Sequence, residues 1–180
     1  MRFEMHHAME ILGRTPPALT ALLEGLSDEW LGATEGPGTF SPFDVVGHLI
    51  DGERTGWMVR ARLILSGAKD TPFEPYDRYG HREHNRERGL TSLLAEFARL
   101  RATNLQELAA WNLTDEQLAM TGTHSRFGST PLTQLLSVWV VHDLGHIAQV
   151  ARVMAKQYGD VIGPWSEFLP VVTDRPTPVT

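Results

Sequence analysis

Three histidines are the residues of this sequence whose spacing and surroundings best suit metal chemistry. His142 and His146 stand four residues apart in an apolar stretch. Because four residues return almost to the same direction on an α-helix, both imidazoles would project from one face. His48 lies among apolar residues of an earlier segment and could face the same point from across the molecule. Three neutral imidazoles that leave one position open are typical of catalytic zinc sites, and they also suit nickel or iron.

The competing interpretation is that these histidines are ordinary core residues. Taken alone, two histidines at this helical spacing are a weak signal. Burial favours a metal, because buried imidazoles need partners and a shared ion would satisfy one nitrogen on each ring. Such an ion would lower the pKa of a bound water molecule or polarise a substrate oxygen or sulfur. The residues by themselves leave both interpretations open.

Residues on the same helical faces are candidates for supporting roles around such a site. Asp51, three residues after His48, is open to three interpretations: a fourth ligand, a general base or a solvent-exposed charge. Helical spacing from His48 or His142 also selects Gln149, Thr55 and Trp139. For Trp139, core packing is the simpler interpretation.

Four long segments have helical length and period, and none has a clear strand alternation. Ser41-Pro42 predicts the start of a helix that ends near Ser66. Pro16-Pro17 predicts a kink or break near Thr15. Long connections between four helices are typical of an all-α four-helix bundle with long crossovers. The four segments cover residues 3–26, 41–66, 90–111 and 130–158.

Three further histidines lie in the connections between these segments. His81 and His84 belong to the charged stretch 68–88 and are interpreted as solvated loop residues. His124 lies in the Gly/Thr/Ser-rich stretch 121–129, which could overhang one end of the bundle. The sequence does not decide whether residues 68–88 cover the histidine site.

Composition excludes several classes of function. The net charge of −6 disfavours nucleic acid as a partner, because phosphate binding requires a basic surface. The absence of cysteine excludes disulfides, thiolate nucleophiles and cysteine-based metal centres. No secretory signal and no apolar run long enough to span a membrane is evident, so we expect a cytoplasmic protein with no membrane association. We expect one bundle domain over residues 1–165 and an extended Pro/Thr-rich tail over residues 166–180.

The combination of His48 in the second helical segment with a late H-x3-H-x2-Q motif at 142–149 resembles the DinB-like (DinB/YfiT) family. Residues 11–29, 41–53 and 93–101 also resemble the corresponding segments of that family. The resemblance implies a four-helix bundle with an unusual helix order and a divalent metal held by His48, His142 and His146. It also implies a homodimer, because homodimers are common in the family.

The family includes transferases and isomerases that use a low-molecular-weight thiol as cosubstrate, which makes a metal-dependent thiol S-transferase the leading hypothesis. Such thiols carry carboxylates, which an arginine could bind. The alternatives are a metal-dependent hydrolase with Asp51 as general base, and a non-catalytic metal-stabilised binding or stress-response module. A small-molecule substrate is expected for either enzyme. The arginines available near the site are Arg54, Arg60, Arg78, Arg82 and Arg86.

Overall fold

The structure is a computed structural model that describes residues 2–174. A short antiparallel hairpin, β1 (Thr121–His124) and β2 (Gly128–Pro131), joins the helices. We expected no strand, but segments of four residues are too short to show an alternation of apolar and polar residues. The helices are α1 (Met5–Leu23), α2 (Asp28–Gly32), α3 (Pro42–Asp51), α4 (Trp57–Leu65), α5 (His81–Asn85), α6 (Leu90–Ala110), α7 (Asp115–Leu118) and α8 (Leu132–Lys156).

Four long helices form the predicted bundle, in which α3 and α4 together make the second helix. Helix α1 packs against α6 and α8, and the second helix packs against the same two. The first and second helices of the chain therefore lie diagonally across the bundle. This order requires long crossovers, which the segments between α1 and α3 and between α4 and α6 provide.

The first helix is continuous through Pro16 and Pro17, so it is not broken near Thr15, and a kink there stays a prediction. Pro16 has no N–H group and cannot donate to the carbonyl of Leu12, four residues earlier. The guanidinium of Arg101 on α6 donates to that carbonyl instead, at 2.7 Å. A contact from another helix thus replaces the hydrogen bond that proline removes.

The second helix is interrupted by a π-helical turn, Gly52–Gly56, where a continuous helix over 41–66 was expected. Gly52 allows the following helix to approach closely, because a Cβ there would lie 3.1 Å from Nε1 of Trp57. A π-turn contains an extra residue and so rotates the faces of the helix that follows it. As a result Glu53 points into the core and is buried.

A buried polar layer centred on Arg101 joins the long helices. Arg101 donates to Glu53 at 2.8 Å and to Asp143 at 2.6 Å. The guanidinium lies over the rings of Phe97 and Trp139, which belong to the two apolar clusters of the core. The layer therefore links α6 with the π-turn and with α8, next to His142.

The chain continues past α8 as two short 3-10 helices, Gly163–Phe168 and Pro170–Val172. The predicted extended tail thus contains helical turns over its described part, and residues 175–180 lie outside the described residues. The boundary at residue 165 stays a prediction. Among the helices of residues 2–174, none is long and apolar enough to cross a membrane.

The start of α3 is held by Asp44 in a capping box with Ser41. The carboxylate of Asp44 also accepts from Arg82 at 2.9 Å and lies 3.7 Å from Nε2 of His81. Burial raises the pKa of Asp44, but contacts with His81, Arg82 and the Ser41 amide outweigh burial and hold the pKa well below its usual range. Ionised Asp44 therefore stabilises the helix that carries His48.

Replacing Arg101 by methionine would leave Glu53 and Asp143 buried without their common cation. We expect the free energy of unfolding to fall by about 3–5 kcal/mol, as is typical when one partner of a buried ion pair is removed. Urea denaturation followed by circular dichroism measures the loss. Arg99→Met is the control, because the Arg99 side chain is 66% exposed. Equal losses in the two variants would contradict the role of the polar layer.

A second prediction concerns Asp44→Asn. Because the pKa of Asp44 is lower in the folded than in the unfolded chain, its contribution is present above about pH 4 and is lost as the pH falls below that value. The substitution should lower the free energy of unfolding by about 1–2 kcal/mol at neutral pH and by less at about pH 2.5, which lies between the pKa of the unfolded chain and the lower pKa of the folded chain. Urea denaturation at both pH values tests this, with exposed Asp70→Asn as control. A loss that does not change with pH would count against it.

Candidate metal centre

Two helices bring three imidazole rings to one point. His48 comes from α3, whereas His142 and His146 lie one turn apart on α8. The Nε2 atom of His142 lies 3.1 Å from Nε2 of His48 and 3.1 Å from Nε2 of His146. One nitrogen of each ring lies within 4.8 Å of the other two, as ligands of a single ion do. The three histidines singled out in the sequence therefore form one cluster, called here the triad.

Tyr76 assigns the tautomer of His48. Its hydroxyl donates to the backbone carbonyl of His48 at 3.2 Å and lies 3.3 Å from Nδ1 of the same residue. When the hydroxyl proton points to the carbonyl, the hydroxyl oxygen can accept from Nδ1–H, which selects the Nδ1–H tautomer of His48. The Nε2 atom of His48 therefore carries a lone pair.

Gln149 has the same effect on His146. Its amide oxygen lies 2.9 Å from Nδ1 of His146. An amide oxygen only accepts hydrogen bonds, so Nδ1 carries the proton and Nε2 carries a lone pair. Helical spacing from His142 selected Gln149, and the structure shows that its partner is His146, three residues before it.

With Nδ1 of His48 and His146 protonated, no arrangement of protons on the neutral rings satisfies all three Nε2 atoms. A proton on Nε2 of His142 can serve His48 or His146, but the other lone pair is then left without a donor. Protonation of His48 and His146 is disfavoured, because burial, and then the neighbouring imidazoles, lowers the pKa of His48 to about 2 and that of His146 to about 4. A divalent ion accepts all three lone pairs, so the donor set fits zinc, nickel or iron.

Asp143 places a carboxylate behind His142. Its Oδ1 atom lies 3.9 Å from Nδ1 of His142, while Oδ2 accepts from Arg101. Neither this Oδ1 nor this Nδ1 has a hydrogen-bond partner among the described residues. A carboxylate on the far nitrogen of a ligating imidazole orients the ring and raises its basicity. Asp143 is in position to do so once the two atoms approach by about 1 Å.

The triad opens onto a cleft of about 430 Å³. His48 and His142 belong to its lining, and the rings of Trp57, Phe73 and Tyr76 make its wall largely apolar. This volume lies in the range of small-molecule sites, which combine an apolar wall with a few polar groups. The polar groups of the lining include Arg60, Glu74, His124 and Arg126.

Trp139 and Thr55, which were candidates from helical spacing, make no hydrogen bond and no ring pair with the triad among the described residues. Trp139 is fully buried and stacks on Trp57 with ring centroids 5.8 Å apart, so it packs in the core. Thr55 is exposed, and its hydroxyl donates to the carbonyl of Asp51 at 2.9 Å. The π-turn explains this position, because seven residues after His48 no longer return to the same helix face.

Asp51 is half-buried and lies outside the cleft lining. Burial raises its pKa, and Asp77 adds to this effect, whereas His81, His84 and Arg54 oppose it. Within the described residues, the metal-ligand cluster at this site consists of the three histidines and includes no carboxylate. Asp51 is therefore placed beside the charged connection and not among the ligand atoms.

The connection 68–88 covers the site, a question that the sequence left open. The backbone N–H of Phe73 donates to the carbonyl of Thr123 in β1 at 2.8 Å, which ties the connection to the hairpin. This pairing carries Phe73 and Tyr76 into the cleft wall. His124 lines the same cleft, in agreement with the expected overhang. Sequence analysis did not select Tyr76, because a single tyrosine in a polar connection carries no specific signal.

His81 is buried, so its interpretation as a solvated loop residue is wrong. It lies on α5, and its ring packs against the rings of Phe40 and His48. Gly47 on α3 permits this approach, because a Cβ there would lie 2.6 Å from Nδ2 of Asn85 and 3.0 Å from Cδ2 of His81. His84, three residues later, is exposed as expected.

Gln149→Leu removes the acceptor of the His146 Nδ1 proton with little change in size. We expect the affinity for zinc to fall by about 10–100-fold, because the ring loses the partner that fixes its tautomer and orientation. Isothermal titration calorimetry with zinc measures the change. Gln134→Leu, an exposed glutamine on the same helix, is the control. Equal zinc affinity in the wild-type chain and Gln149→Leu would refute the orienting role.

Similar folds occur among solved structures. YfiT from Bacillus subtilis, described as a probable metal-dependent hydrolase with an unusual four-helix bundle topology, is 24% identical, with a TM-score of 0.73. That match covers 85% of this chain and 87% of YfiT. TT2238, described as a four-helix bundle protein, is 25% identical, with a TM-score of 0.53, over 80% of this chain and 95% of its own. None of the curated proteins searched matches the chain.

The family comparison agrees with the resemblance seen in the sequence. The model of the DinB superfamily matches residues 11–150, which include all three triad histidines and Gln149. The likeness to YfiT supports the same bundle topology. The chain belongs to the DinB superfamily.

Proposed function

We propose that the protein is a metal-dependent enzyme that transfers the sulfur of a low-molecular-weight thiol to an electrophilic small molecule. The observation that carries this proposal is that three neutral Nε2 atoms, each able to ligate a metal ion, converge beside an apolar cleft. No carboxylate belongs to this ligand cluster within the described residues. When bound, a divalent ion supplies a Lewis acid that lowers the pKa of a thiol. Neutral ligands preserve the full charge of the ion, which favours the binding of an anion such as a thiolate.

The residues of the chain have separable tasks in this proposal. Tyr76 and Gln149 accept hydrogen bonds from Nδ1–H of His48 and His146. The Nε2 lone pairs of both histidines therefore stay available. Burial raises the pKa of Tyr76, which keeps its hydroxyl protonated at neutral pH. The rings of Trp57 and Phe73 exclude water from the cleft wall.

The proposed reaction is a substitution at carbon. The thiol loses its proton to solvent, its sulfur forms a bond to the electrophilic carbon, and the bond between that carbon and its leaving group breaks. The chain contains no cysteine, so the sulfur must come from a cosubstrate. A homodimer in the cytoplasm remains part of the proposal.

A metal-dependent hydrolase is the second candidate. Glu74 lines the cleft and is a carboxylate that could act as general base toward water. The structural likeness to YfiT, described as a probable metal-dependent hydrolase, favours the same candidate. Asp51, the base selected from the sequence, lies outside the cleft lining. A purely structural metal is less favoured, because structural zinc sites are closed by four protein ligands.

Metal content is the first test. Elemental analysis of untagged protein purified without chelator should find about one zinc, nickel or iron per chain, in keeping with three ligands for a single ion. The double variant His142→Ala/His146→Ala should lose this metal. His84→Ala, which changes an exposed histidine, should keep it. No metal in the wild-type chain, and no rise in melting temperature on addition of divalent ions, would exclude both enzyme proposals.

The same preparations then separate the two reactions. With a carboxylated thiol such as glutathione and an activated aryl halide, thiol consumption should be at least about 100-fold faster with the wild-type chain than with the double variant. Nitrophenyl esters, offered without thiol, test hydrolysis. If the wild-type chain cleaves the ester but consumes no thiol, and Glu74→Gln loses the cleavage, the hydrolase replaces the transferase as the proposed function.

A further inference from the structure

Most of the arginines considered for carboxylate binding are unsuited by their position. Arg54 pairs with Glu96, and Arg82 donates to Asp44 at 2.9 Å, so both already have a carboxylate of the chain itself. Two others are exposed, Arg78 and Arg86. None of these four side chains belongs to the lining of the triad cleft.

Arg60 differs from them in place and in surroundings. It lies on α4, half-buried in the cleft wall, with its guanidinium 5.6 Å from the centroid of the Phe73 ring. Its Nη2 donates to the backbone carbonyl of Glu74 at 3.4 Å, and no carboxylate of the described residues lies within ion-pair distance. A guanidinium has five N–H donors, and Arg60 uses one of them in the long contact with the Glu74 carbonyl. The remaining donors are available to a ligand.

Burial also changes the electrostatics of Arg60. Desolvation lowers its pKa, and the nearby Tyr76 opposes this effect. The loss of hydration that lowers the pKa of a cation is compensated when an anion binds beside it. Arg60 is therefore a side chain whose charge an incoming anion would stabilise.

The hairpin adds further hydrogen-bond donors to the lining. Nδ1 of His124 accepts from the backbone N–H groups of Arg126 and Phe127 at 3.1 and 3.3 Å. The proton of neutral His124 is therefore on Nε2, which is a donor. Arg126 lines the cleft as well. The lining therefore contains two arginines and a histidine donor, but a single carboxylate, that of Glu74.

We propose that Arg60 binds the carboxylate of a small organic substrate whose apolar body lies against the rings of Trp57 and Phe73. This inference rests on the proposed function, because it concerns the cleft onto which the triad opens. The planar guanidinium matches the two oxygens of a carboxylate. A cleft of about 430 Å³ with aromatic walls suits a compact, largely apolar molecule with one charged end.

The test compares two probes of nearly the same size and shape: the anion 3-phenylpropionate and its neutral isostere 3-phenylpropanamide. Isothermal titration calorimetry on the full chain, with the metal content of each sample measured, gives both dissociation constants. We expect the carboxylate to bind at least about tenfold more tightly than the amide, through the charge-assisted hydrogen bonds of Arg60. Arg60→Met should abolish this preference, and Arg60→Lys should keep part of it because the charge remains. Arg86→Met, which removes an exposed arginine, should leave it unchanged.

The outcomes separate this inference from the proposed function. A preference that persists in Arg60→Met overturns the inference, since the carboxylate would then bind elsewhere, for example to the metal. A preference lost only in the Arg60 variants supports the inference, whether or not the chain carries metal. If the chain binds no metal and this loss is still seen, the carboxylate site stands and the metal-dependent enzyme fails. A melting temperature close to wild type in Arg60→Lys excludes misfolding as the cause of a partial loss.

Discussion

The buried guanidinium of Arg101 is the contact on which the arrangement of this bundle depends. It donates to a carbonyl of α1 that a proline leaves free, to Glu53 of the π-turn and to Asp143 of α8. A charge this deeply buried is tolerated only when all its partners are in place, so the four long helices are fixed relative to one another at this level. Because Asp143 follows His142 directly, the same layer determines where two of the triad rings project.

The chemistry of the triad follows from what lies behind each ring. Tyr76 and Gln149 accept hydrogen bonds from the Nδ1–H groups of two histidines, and Asp143 lies behind the third. The Nε2 lone pairs therefore face one another at a distance that is unfavourable without a shared cation. Orientation by such outer partners is what distinguishes a metal centre from a chance cluster of core histidines.

The diagonal order of the first two helices requires long crossovers. These connections form much of the wall of the cleft onto which the triad opens. Residues 68–88 pair with the hairpin through Phe73 and so cover the end of the bundle where the triad lies. The cleft between them is apolar, with two arginines and a single acidic side chain in its lining. In the proposed function, the bundle supplies the metal ligands, and the connections supply much of the cleft wall against which a substrate would lie.

The sequence by itself determined the four long helices of this protein and the three histidines of its candidate metal centre. Helical periodicity and capping residues predicted the long helices, and the four-residue spacing on α8 put His142 and His146 on one face, because a local helix has a fixed period. Only the tertiary structure decided what depends on contacts between distant segments. The π-turn, which removes Thr55 from the face of His48, accompanies the burial of Glu53 against Arg101, 48 residues away. The continuity of α1, the positions of Tyr76 and Arg60 in the cleft lining, and the burial of His81 likewise arise from packing, which no local pattern encodes.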